Sequence, residues 1–419
     1  MRGFSERADV EEVETFLDRH TRALSAEPVD LLACVGRVLA EDVRSEVDVP
    51  GFARSAMDGY AVRGEDTFGA SNYDPISLAI AGQALPGRPF SGRVEVGVAV
   101  RIMTGSAVPE GADAVVMAEV CSERDGRVEV TAAVAPRQNV GDVGEDIRSG
   151  EFVLRTGRRV RPQDAGLLAS IGVGRPRCVR RPRVQLVITG DELLPAGSRP
   201  DSRHIVDSNS VVLTALVVRD GGEPLPFGIL PDRADRLRDA LAVAAADADV
   251  ILVSGGSSVG AEDHAPRLVD ELGSLDFHGI AMRPSSPAGV GRIPRGEPGS
   301  SDVPPCWVFL LPGNPVSCLC AYEFFAGPVL RRLGGRSRAW PHPRVRRPLA
   351  RKISSAIGRT DYVRVAIENG RVVPIATSGA SILSSTVRAA GCVIVPRELE
   401  GMPEGSEVEV RLYDDVCEV

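Results

Sequence analysis

The chain has almost no lysine and few aromatic side chains. Lys352 is the only lysine among 49 basic residues. A Walker-type phosphate loop needs a lysine after its glycines, so that motif is excluded, and a Schiff-base or general-base lysine could only be Lys352. Aromatic residues make up 4% of the 419 residues, and the net charge is −8. Nucleic-acid binding needs basic surfaces and aromatic stacking platforms, so we expect no nucleic-acid partner.

The cysteines form no CxxC pair and no cluster with histidine. They stand at positions 34, 121, 178, 306, 318, 320, 392 and 417. Zinc-ribbon and thioredoxin-like sites are therefore excluded, and isolated cysteines in apolar runs act as small hydrophobes. Residues 1–16 lack the apolar core of a signal peptide, and the chain has no apolar window of about 18 residues. We expect a cytoplasmic protein without a membrane span.

The length and the changing residue patterns predict an α/β multidomain protein. A chain of 419 residues suggests roughly three domains, at about 150 residues each. The patterns predict four parts. These are an elongated N-terminal domain (1–50 plus about 145–180), a β-rich inserted domain (51–144), a central α/β domain (181–335) and a small C-terminal β-domain (340–419).

Helical spacing of apolar residues predicts helices over 8–24, 29–40 and 162–171. Within the central domain it predicts helices over 208–219, 233–246, 263–272 and 315–333. Because strands alternate with these helices, we expect a doubly wound parallel or mixed sheet. The Pro-, Gly- and Ser-rich segment 284–305 predicts a loop or hairpin, and the arginine-rich segment 175–183 predicts a linker.

Three apolar runs of the central domain each end in a polar loop that contains glycine. Residues 184–188 precede Thr-Gly-Asp-Glu at 189–192, residues 250–253 precede a glycine-rich loop at 254–260, and residues 307–311 precede Pro-Gly-Asn-Pro at 312–315. In open α/β sheets, ligands bind beyond the carboxyl ends of the strands. The three loops therefore predict a site for an anionic ligand with a metal at one edge of the sheet.

Each loop has both a binding and a structural interpretation. Glycines at 255, 256 and 260 allow successive N–H groups to form an anion-binding nest, but they also suit a tight turn. Asp191 and Glu192 could hold Mg²⁺, which prefers oxygen ligands, or could be solvated surface acids. Asn314 and Ser317 could bond a ligand or cap the helix that follows.

Six ordered segments give the chain a specific resemblance. They are SAMDGYAV (55–62), RIMTGSAVPEGADAVVMAE (101–119), GEDI (144–147), TGDEL (189–193), SGGSSVGAED (254–263) and LPGNPVS (311–317). In this order they resemble the molybdopterin molybdotransferases, a family that includes the C-terminal domain of gephyrin. The resemblance spans nearly the whole chain and implies a central domain similar to the molybdopterin adenylyltransferases.

The resemblance implies an enzyme of molybdenum-cofactor biosynthesis. Such an enzyme inserts molybdate into adenylylated molybdopterin, uses Mg²⁺ and releases AMP. It works as a homodimer in which the loop of Asp58 completes the partner's site. Contact with a molybdopterin adenylyltransferase is a further expectation.

The motif positions and the loop chemistry together select the candidate site residues. Candidate catalytic residues are Asp58, Thr104, Asp146, Asp232 and Arg283, and candidate metal ligands are Glu192 and Asp263. Candidate substrate-binding residues are Gly190, Ser254, Gly255, Gly256, Ser258, Gly260, Gly313, Asn314, Pro315, Ser317, Arg359 and Ser381. Arginine side chains are expected to hold molybdate.

One segment departs from the family pattern. Many members carry lysines in a stretch that ends in Pro-Gly-Lys-Pro, whereas Gly279 and Ser286 stand at two of those positions here and Arg283 at a third. Arginine binds oxyanions well through two N–H groups, so Arg283 could substitute. The strength of oxyanion binding and the preference for molybdate or tungstate stay open.

Two other functions fit parts of the sequence. The central domain alone would suit the preceding step, adenylylation of molybdopterin with ATP. A non-catalytic scaffold of the gephyrin type is the alternative from a different class. The segments at 55–62 and 101–119 and the C-terminal β-domain favour insertion, since a stand-alone adenylyltransferase needs neither.

Overall fold

The computed structural model describes residues 7–226, 228–256, 264–295, 303–376 and 379–414. The chain divides into two compact units, one formed by residues 1–27, 36–38 and 178–419 and the other by 28–35 and 39–177. No helix within the described ranges is long and apolar enough to cross a membrane.

The α-helices found in the described ranges are α1 Val10–His20, α2 Pro162–Ser170, α3 Asn209–Arg219, α4 Ala234–Asp247, α5 Ala265–Leu272, α6 Pro315–Ala321, α7 Gly327–Leu333 and α8 Ser384–Val387. A π-helical turn at Tyr322–Ala326 joins α6 to α7. Short 3₁₀ turns lie at Leu31–Cys34, Gly64–Thr67 and Ala118–Val120.

The strands of the first 180 residues are β1 Ala26–Pro28, β2 Val43–Arg44, β3 Arg54–Ser55, β4 Gly59–Val62, β5 Ile76–Ala84, β6 Val98–Ile102, β7 Ala114–Met117, β8 Cys121–Arg124, β9 Arg127–Val130, β10 Val140–Gly141, β11 Phe152–Leu154 and β12 Arg177–Val179. Those of the central segment are β13 Arg183–Thr189, β14 Leu193–Leu194, β15 Ile205–Val206, β16 Glu223–Leu225, β17 Ile229–Leu230, β18 Val250–Ser254, β19 Ser274–His278, β20 Met282–Arg283, β21 Gly289–Ile293 and β22 Cys306–Leu311. The last are β23 Arg344–Pro348, β24 Ile353–Ser354, β25 Thr360–Glu368, β26 Arg371–Ala376, β27 Gly391–Val395, β28 Gly401–Met402 and β29 Glu407–Leu412.

The central sheet is mixed, as the sequence predicts. Its order is β16–β13–β18–β22–β21–β19, with β17 also on β13. The strands from β16 to β22 run parallel, whereas β21 is antiparallel to β22 and to β19. The segment 284–305, predicted to be a loop or hairpin, contains strand β21, which pairs with β22 just beyond the segment, and residues 296–302 lie outside the described residues.

Helices cover both faces of this sheet, because its strands are apolar on both sides. Along β18, Val250 and Leu252 pack on the face of α3, α6 and α7, whereas Ile251 and Val253 pack on the face of α4 and α5. The same alternation along β13 and β22 gives the doubly wound arrangement.

The C-terminal sheet has the order β20–β25–β27–β29–β23, with β26 on β25. Strand β20 comes from the central segment and lies parallel to β25, with Met282 opposite Thr360 and Arg283 opposite Asp361. A strand of two residues therefore carries side chains from the central segment into the C-terminal sheet.

The second unit contains a sheet of order β7–β4–β6–β5–β9–β8. Strands β4 and β6 are antiparallel neighbours, with Gly59 opposite Ile102. This pairing brings the residue before β4, Asp58, close to the turn after β6, which holds Thr104.

Two local predictions need correction. Residues 29–40 form only a 3₁₀ turn at Leu31–Cys34 rather than a helix. Gly36 takes a φ of 81° and turns the chain, so buried residues such as Val29 and Leu39 do not lie along one helix face. The predicted linker at 175–183 contains strand β12, and Arg180 pairs with the buried carboxylate of Asp249.

Candidate active site

The three glycine-containing loops, which follow β13, β18 and β22, begin side by side at the carboxyl ends of these strands. Ile188 at the end of β13 pairs with Ser254 of β18, and Ser254 pairs with Leu311 of β22. A cavity of about 920 Å³ opens at this edge. The predicted site residues that line it are Gly190, Glu192, Asp232, Ser254, Gly255, Gly256, Gly313, Asn314, Pro315 and Ser381.

The backbone at Gly255 leaves no room for a side chain. Its φ is 104°, and a Cβ there would lie 2.7 Å from the Thr189 hydroxyl and closer still to the Thr189 carbonyl oxygen. Gly256 also has a positive φ, 56°. At Gly313 a Cβ would meet only ordinary contacts, the nearest being Gly255 Cα at 3.7 Å. Glycine is therefore required sterically in the second loop but not in the third.

Asn209 joins two of the loops and was missed by the sequence analysis. Its side-chain amide donates to the Ser254 hydroxyl at 2.9 Å and to the Gly313 carbonyl at 2.8 Å. Asn209 is the first residue of α3, and Asp207 caps that helix by accepting the N–H of Ser210 at 3.0 Å. The only sequence signal was the cap itself, which gives no reason to expect contacts across the sheet edge.

Two carboxylates line the cavity from neighbouring loops. Glu192 follows β13, and Asp232 follows β17. Their loops are tied together, since the Asp191 N–H donates to the Asp232 carboxylate at 3.3 Å and the Asp232 N–H to that of Asp191 at 3.2 Å. Mg²⁺ is usually bound by one or two carboxylates plus substrate phosphates, so this pair fits that ion. In the described part of the chain no group of three or more His, Cys, Asp or Glu side chains could hold a metal.

Three predicted residues, Ser258, Gly260 and Asp263, lie outside the described residues. The predicted glycine-rich cradle is therefore described only at its start, Ser254 to Gly256.

A second cavity, of about 390 Å³, is lined by arginines. They are Arg7, Arg283, Arg359 and Arg397, and Ser286 lies among them. Two buried polar atoms there make no hydrogen bond, namely Arg283 Nε and Ser286 Oγ, whereas Arg359 Nε lies 3.0 Å from a carboxylate oxygen of Asp361. An uncompensated buried donor costs free energy, so such atoms fit an anion that would accept from them.

The segment 285–287 separates the two cavities. Ser286 lines the arginine cavity, whereas the next residue, Pro287, lines the cavity at the sheet edge. Ser285 has a φ of 88°, and its hydroxyl donates to the Ser317 carbonyl at 2.6 Å. Ser317 is buried in the first turn of α6, so this hydrogen bond fixes the separating segment to that helix.

In the second unit, Asp58 and Thr104 form one polar pair. Asp58 Oδ1 accepts from the Thr104 N–H at 2.7 Å and from its hydroxyl at 2.8 Å. These bonds from Thr104 lower the pKa of Asp58, so the carboxylate stays ionised. Asp146 is exposed on the loop between β10 and β11.

Comparisons with known proteins match most of the chain to one family. Residues 8–172 match the MoeA N-terminal region (domain I and II), 185–332 a probable molybdopterin binding domain, and 346–413 the MoeA C-terminal region (domain IV). A putative molybdopterin biosynthesis protein of Methanocaldococcus jannaschii is 34% identical over 97% of this chain and 96% of its own length. A molybdopterin molybdenumtransferase of Haemophilus influenzae is 32% identical over 93% of this chain and 94% of its own length.

A solved structure gives the same result. The molybdopterin biosynthesis MoeA protein of Pyrococcus horikoshii is 31% identical and superposes with a TM-score of 0.82, covering 98% of this chain and 100% of that one. The chain therefore belongs to the MoeA family of molybdopterin biosynthesis proteins.

Proposed function

We propose that this protein is a molybdopterin molybdotransferase, which inserts molybdate into adenylylated molybdopterin with Mg²⁺-dependent release of AMP. The observation that carries the proposal is the pair of adjoining cavities. One has carboxylates, hydroxyls and glycine backbone suited to a diphosphate and a metal, and the other has arginines suited to an oxyanion.

The reaction needs positioning more than covalent catalysis. Water cleaves a phosphoanhydride bond of the substrate and releases AMP, and the two thiol sulfurs of the pterin bind molybdenum while one oxygen of molybdate leaves as water with the two thiol protons. Enzymes accelerate such transfers by orienting the reactants and stabilising developing charge. Backbone N–H groups of Gly256 and Gly313 would hold diphosphate oxygens, and the amide of Asn314 and the hydroxyl of Ser254 would fix the orientation of the substrate.

Glu192 and Asp263 are the two predicted Mg²⁺ ligands, and Asp232, predicted as a catalytic residue, would add a carboxylate beside Glu192 at the sheet edge. The ion supplies charge neutralisation for the diphosphate. Because the two described carboxylates lie on loops tied by the Asp191 and Asp232 hydrogen bonds, they would keep their separation when the substrate leaves.

The arginine cavity would receive molybdate. Arg283 and Arg359 contribute guanidinium groups, which suit oxyanions better than ammonium groups because they offer several N–H donors in one plane. The wall formed by Ser285 and Ser286 would hold the oxyanion beside the pterin cavity until the transfer.

We further propose a homodimer in which Asp58 of one subunit completes the site of the other. Exposed apolar side chains close to Asp58 and Thr104 in the sequence support a protein contact there, since Met57 is 43% and Met103 53% exposed. Contact with a molybdopterin adenylyltransferase stays a prediction, as does the division into four domains.

A cytoplasmic location remains part of the proposal. The thiols of Cys306, Cys318 and Cys392 are buried, which raises the pKa of each to about 12. They therefore act as small apolar side chains rather than as reactive thiolates.

The test is AMP release by the purified full-length protein. With adenylylated molybdopterin, Mg²⁺ and molybdate, the wild-type protein should release AMP and yield active cofactor, and Glu192→Gln should release far less. Asp239→Asn, which changes an exposed carboxylate on α4, is the matched control and should behave like wild type. Consumption of ATP without molybdate would instead indicate the adenylylation step.

Mixing two inactive variants tests the composite site. If Asp58 serves the partner's site, co-refolded Asp58→Asn and Glu192→Gln chains should regain about a quarter of wild-type activity, because random C₂ dimers then contain that share of intact sites. No recovery, with dimers verified by analytical ultracentrifugation, would place both residues in the site of one subunit.

A further inference from the structure

One carboxylate, that of Asp361, contacts two of the four arginines that line the arginine cavity. Asp361 has 0% relative exposure and sits between Arg283 and Arg359. Arg283 donates from Nη2 to Asp361 Oδ2, and Arg359 Nε lies 3.0 Å from Asp361 Oδ1. The hydroxyl of Ser355 also donates to Asp361 Oδ2, at 2.8 Å.

We infer that Asp361 is a positioning residue that fixes the separation of Arg283 and Arg359 and thereby sets which oxyanion the cavity accepts. The inference rests on the proposed function, because it assumes that this cavity receives the oxyanion substrate. Asp361 itself is not among the residues that line the cavity, so it acts through the two arginines.

The fold explains why this carboxylate can set a distance. Arg283 and Asp361 are register partners on the parallel strands β20 and β25, so the backbone holds them side by side. Arg359 precedes β25 by one residue. Both arginines are thus anchored to the same strand pair, and their positions depend on a carboxylate that cannot move into solvent.

Two guanidinium groups held at a fixed separation distinguish between oxyanions of different size. Molybdate and sulfate have the same charge and the same tetrahedral shape, but metal–oxygen bonds in molybdate are longer than the sulfur–oxygen bonds in sulfate. Arginines held at one separation favour the ion that spans them, whereas mobile arginines close on either ion. Removing the negative charge of Asp361 also strengthens the attraction of the cavity for any anion.

Asp361→Asn should therefore lose selectivity rather than anion binding. An N–H···O bond to a charged partner contributes enough to alter an equilibrium by about tenfold. We expect the ratio of the sulfate Kd to the molybdate Kd to fall by about that factor, while kcat for AMP release also falls. Ser355→Ala, which removes only the hydroxyl that holds Asp361, should shift the ratio in the same direction by less.

The experiment is calorimetric titration of the full chain with sodium molybdate and with sodium sulfate, followed by AMP-release kinetics. Asp276→Asn is the matched control, since Asp276 also accepts from one arginine (Arg292, at 2.6 and 2.8 Å) and one serine hydroxyl but lies away from the cavity. Its selectivity ratio should equal that of wild type.

The outcomes separate the two proposals. If wild type binds molybdate but Asp361→Asn and Ser355→Ala keep its selectivity ratio, the positioning role is wrong and the proposed function stands. If wild type binds no molybdate and releases no AMP, the proposed function is wrong and this inference with it. Should Asp361→Asn fail to fold, Ser355→Ala alone decides: an unchanged ratio overturns the inference, and a lowered ratio supports it.

Discussion

Replacing Gly255 by alanine tests whether the backbone of the second loop is built for close approach. The new Cβ would lie 2.7 Å from the Thr189 hydroxyl and closer to the Thr189 carbonyl, at a φ of 104°. Neither clash can be removed by moving a flexible side chain, because the carbonyl oxygen belongs to the backbone and the hydroxyl is on the short side chain of Thr189 on the neighbouring strand. The loop after β18 must therefore shift away from the loop after β13.

The expected cost follows from the conformation. A non-glycine residue held in a sparsely populated backbone region costs about 1–3 kcal/mol. In a unit of this size each kcal/mol lowers Tm by about 2–4 °C, so we expect Tm to fall by about 2–12 °C. Because the shifted loop carries the proposed diphosphate-binding N–H groups, KM for the adenylylated pterin should rise as well.

Gly313→Ala is the control at the same cavity. Its Cβ would meet only Gly255 Cα at 3.7 Å, so its Tm should stay close to that of wild type. Differential scanning calorimetry measures both variants, and AMP-release kinetics give KM. Equal stability of the Gly255→Ala and wild-type proteins, or an equal loss in Gly313→Ala, would refute the steric reasoning.

Two further changes probe contacts that hold the sheet edge and its supporting helices. Asn209→Ala removes the amide that donates to the Ser254 hydroxyl and to the Gly313 carbonyl. The free energy of unfolding, measured by urea denaturation, should fall by about 1–3 kcal/mol. An unchanged free energy of unfolding would mean that these two hydrogen bonds do not stabilise the sheet edge. Burial raises the pKa of Glu323, but hydrogen bonds from His342 and Arg219 outweigh it and hold the value at about 2, below the usual 4.5. The stabilisation from the ionised Glu323 carboxylate is therefore complete above about pH 4.5 and disappears as the pH falls toward 2. Glu323→Gln should lower the free energy of unfolding by about 3–5 kcal/mol at pH 7. The free energy of unfolding of this variant should also depend less on pH between about 4.5 and 2. An unchanged acid side would contradict the depressed pKa.

The sequence predicts the central sheet well because local pattern and burial agree there. Short apolar runs at 184–188, 250–253 and 307–311 became β13, β18 and β22, since strands covered on both faces need no polar alternation. The meeting of the three loops followed from parallel topology alone. In 29–40 the apolar spacing was misleading, because the chain turns at Gly36, whose φ is 81°, and the buried residues on either side of the turn do not share one helix.

Contacts between segments that are distant in the chain could not be predicted from the sequence. The approach of Asn209 to Gly313 depends on the packing of α3 against β13 and α6. The sequence analysis named Arg283 and Arg359 as separate candidates, but nothing in their spacing indicates that they share a cavity apart from the glycine loops. That arrangement depends on β20 leaving the central segment to join the C-terminal sheet.

The pairing of β20 with β25 has a consequence for how the two cavities work together. The chain passes from Arg283 in the arginine cavity, through Ser285 bound to α6, to Pro287 at the sheet edge within five residues. A displacement of the C-terminal sheet would thus move Arg283 and, through Ser285, strain the first turn of α6 beside Asn314. If the two cavities hold the oxyanion and the diphosphate as proposed, one short segment links their positions, and a substitution in the C-terminal sheet that shifts β25 should alter the KM of both substrates together.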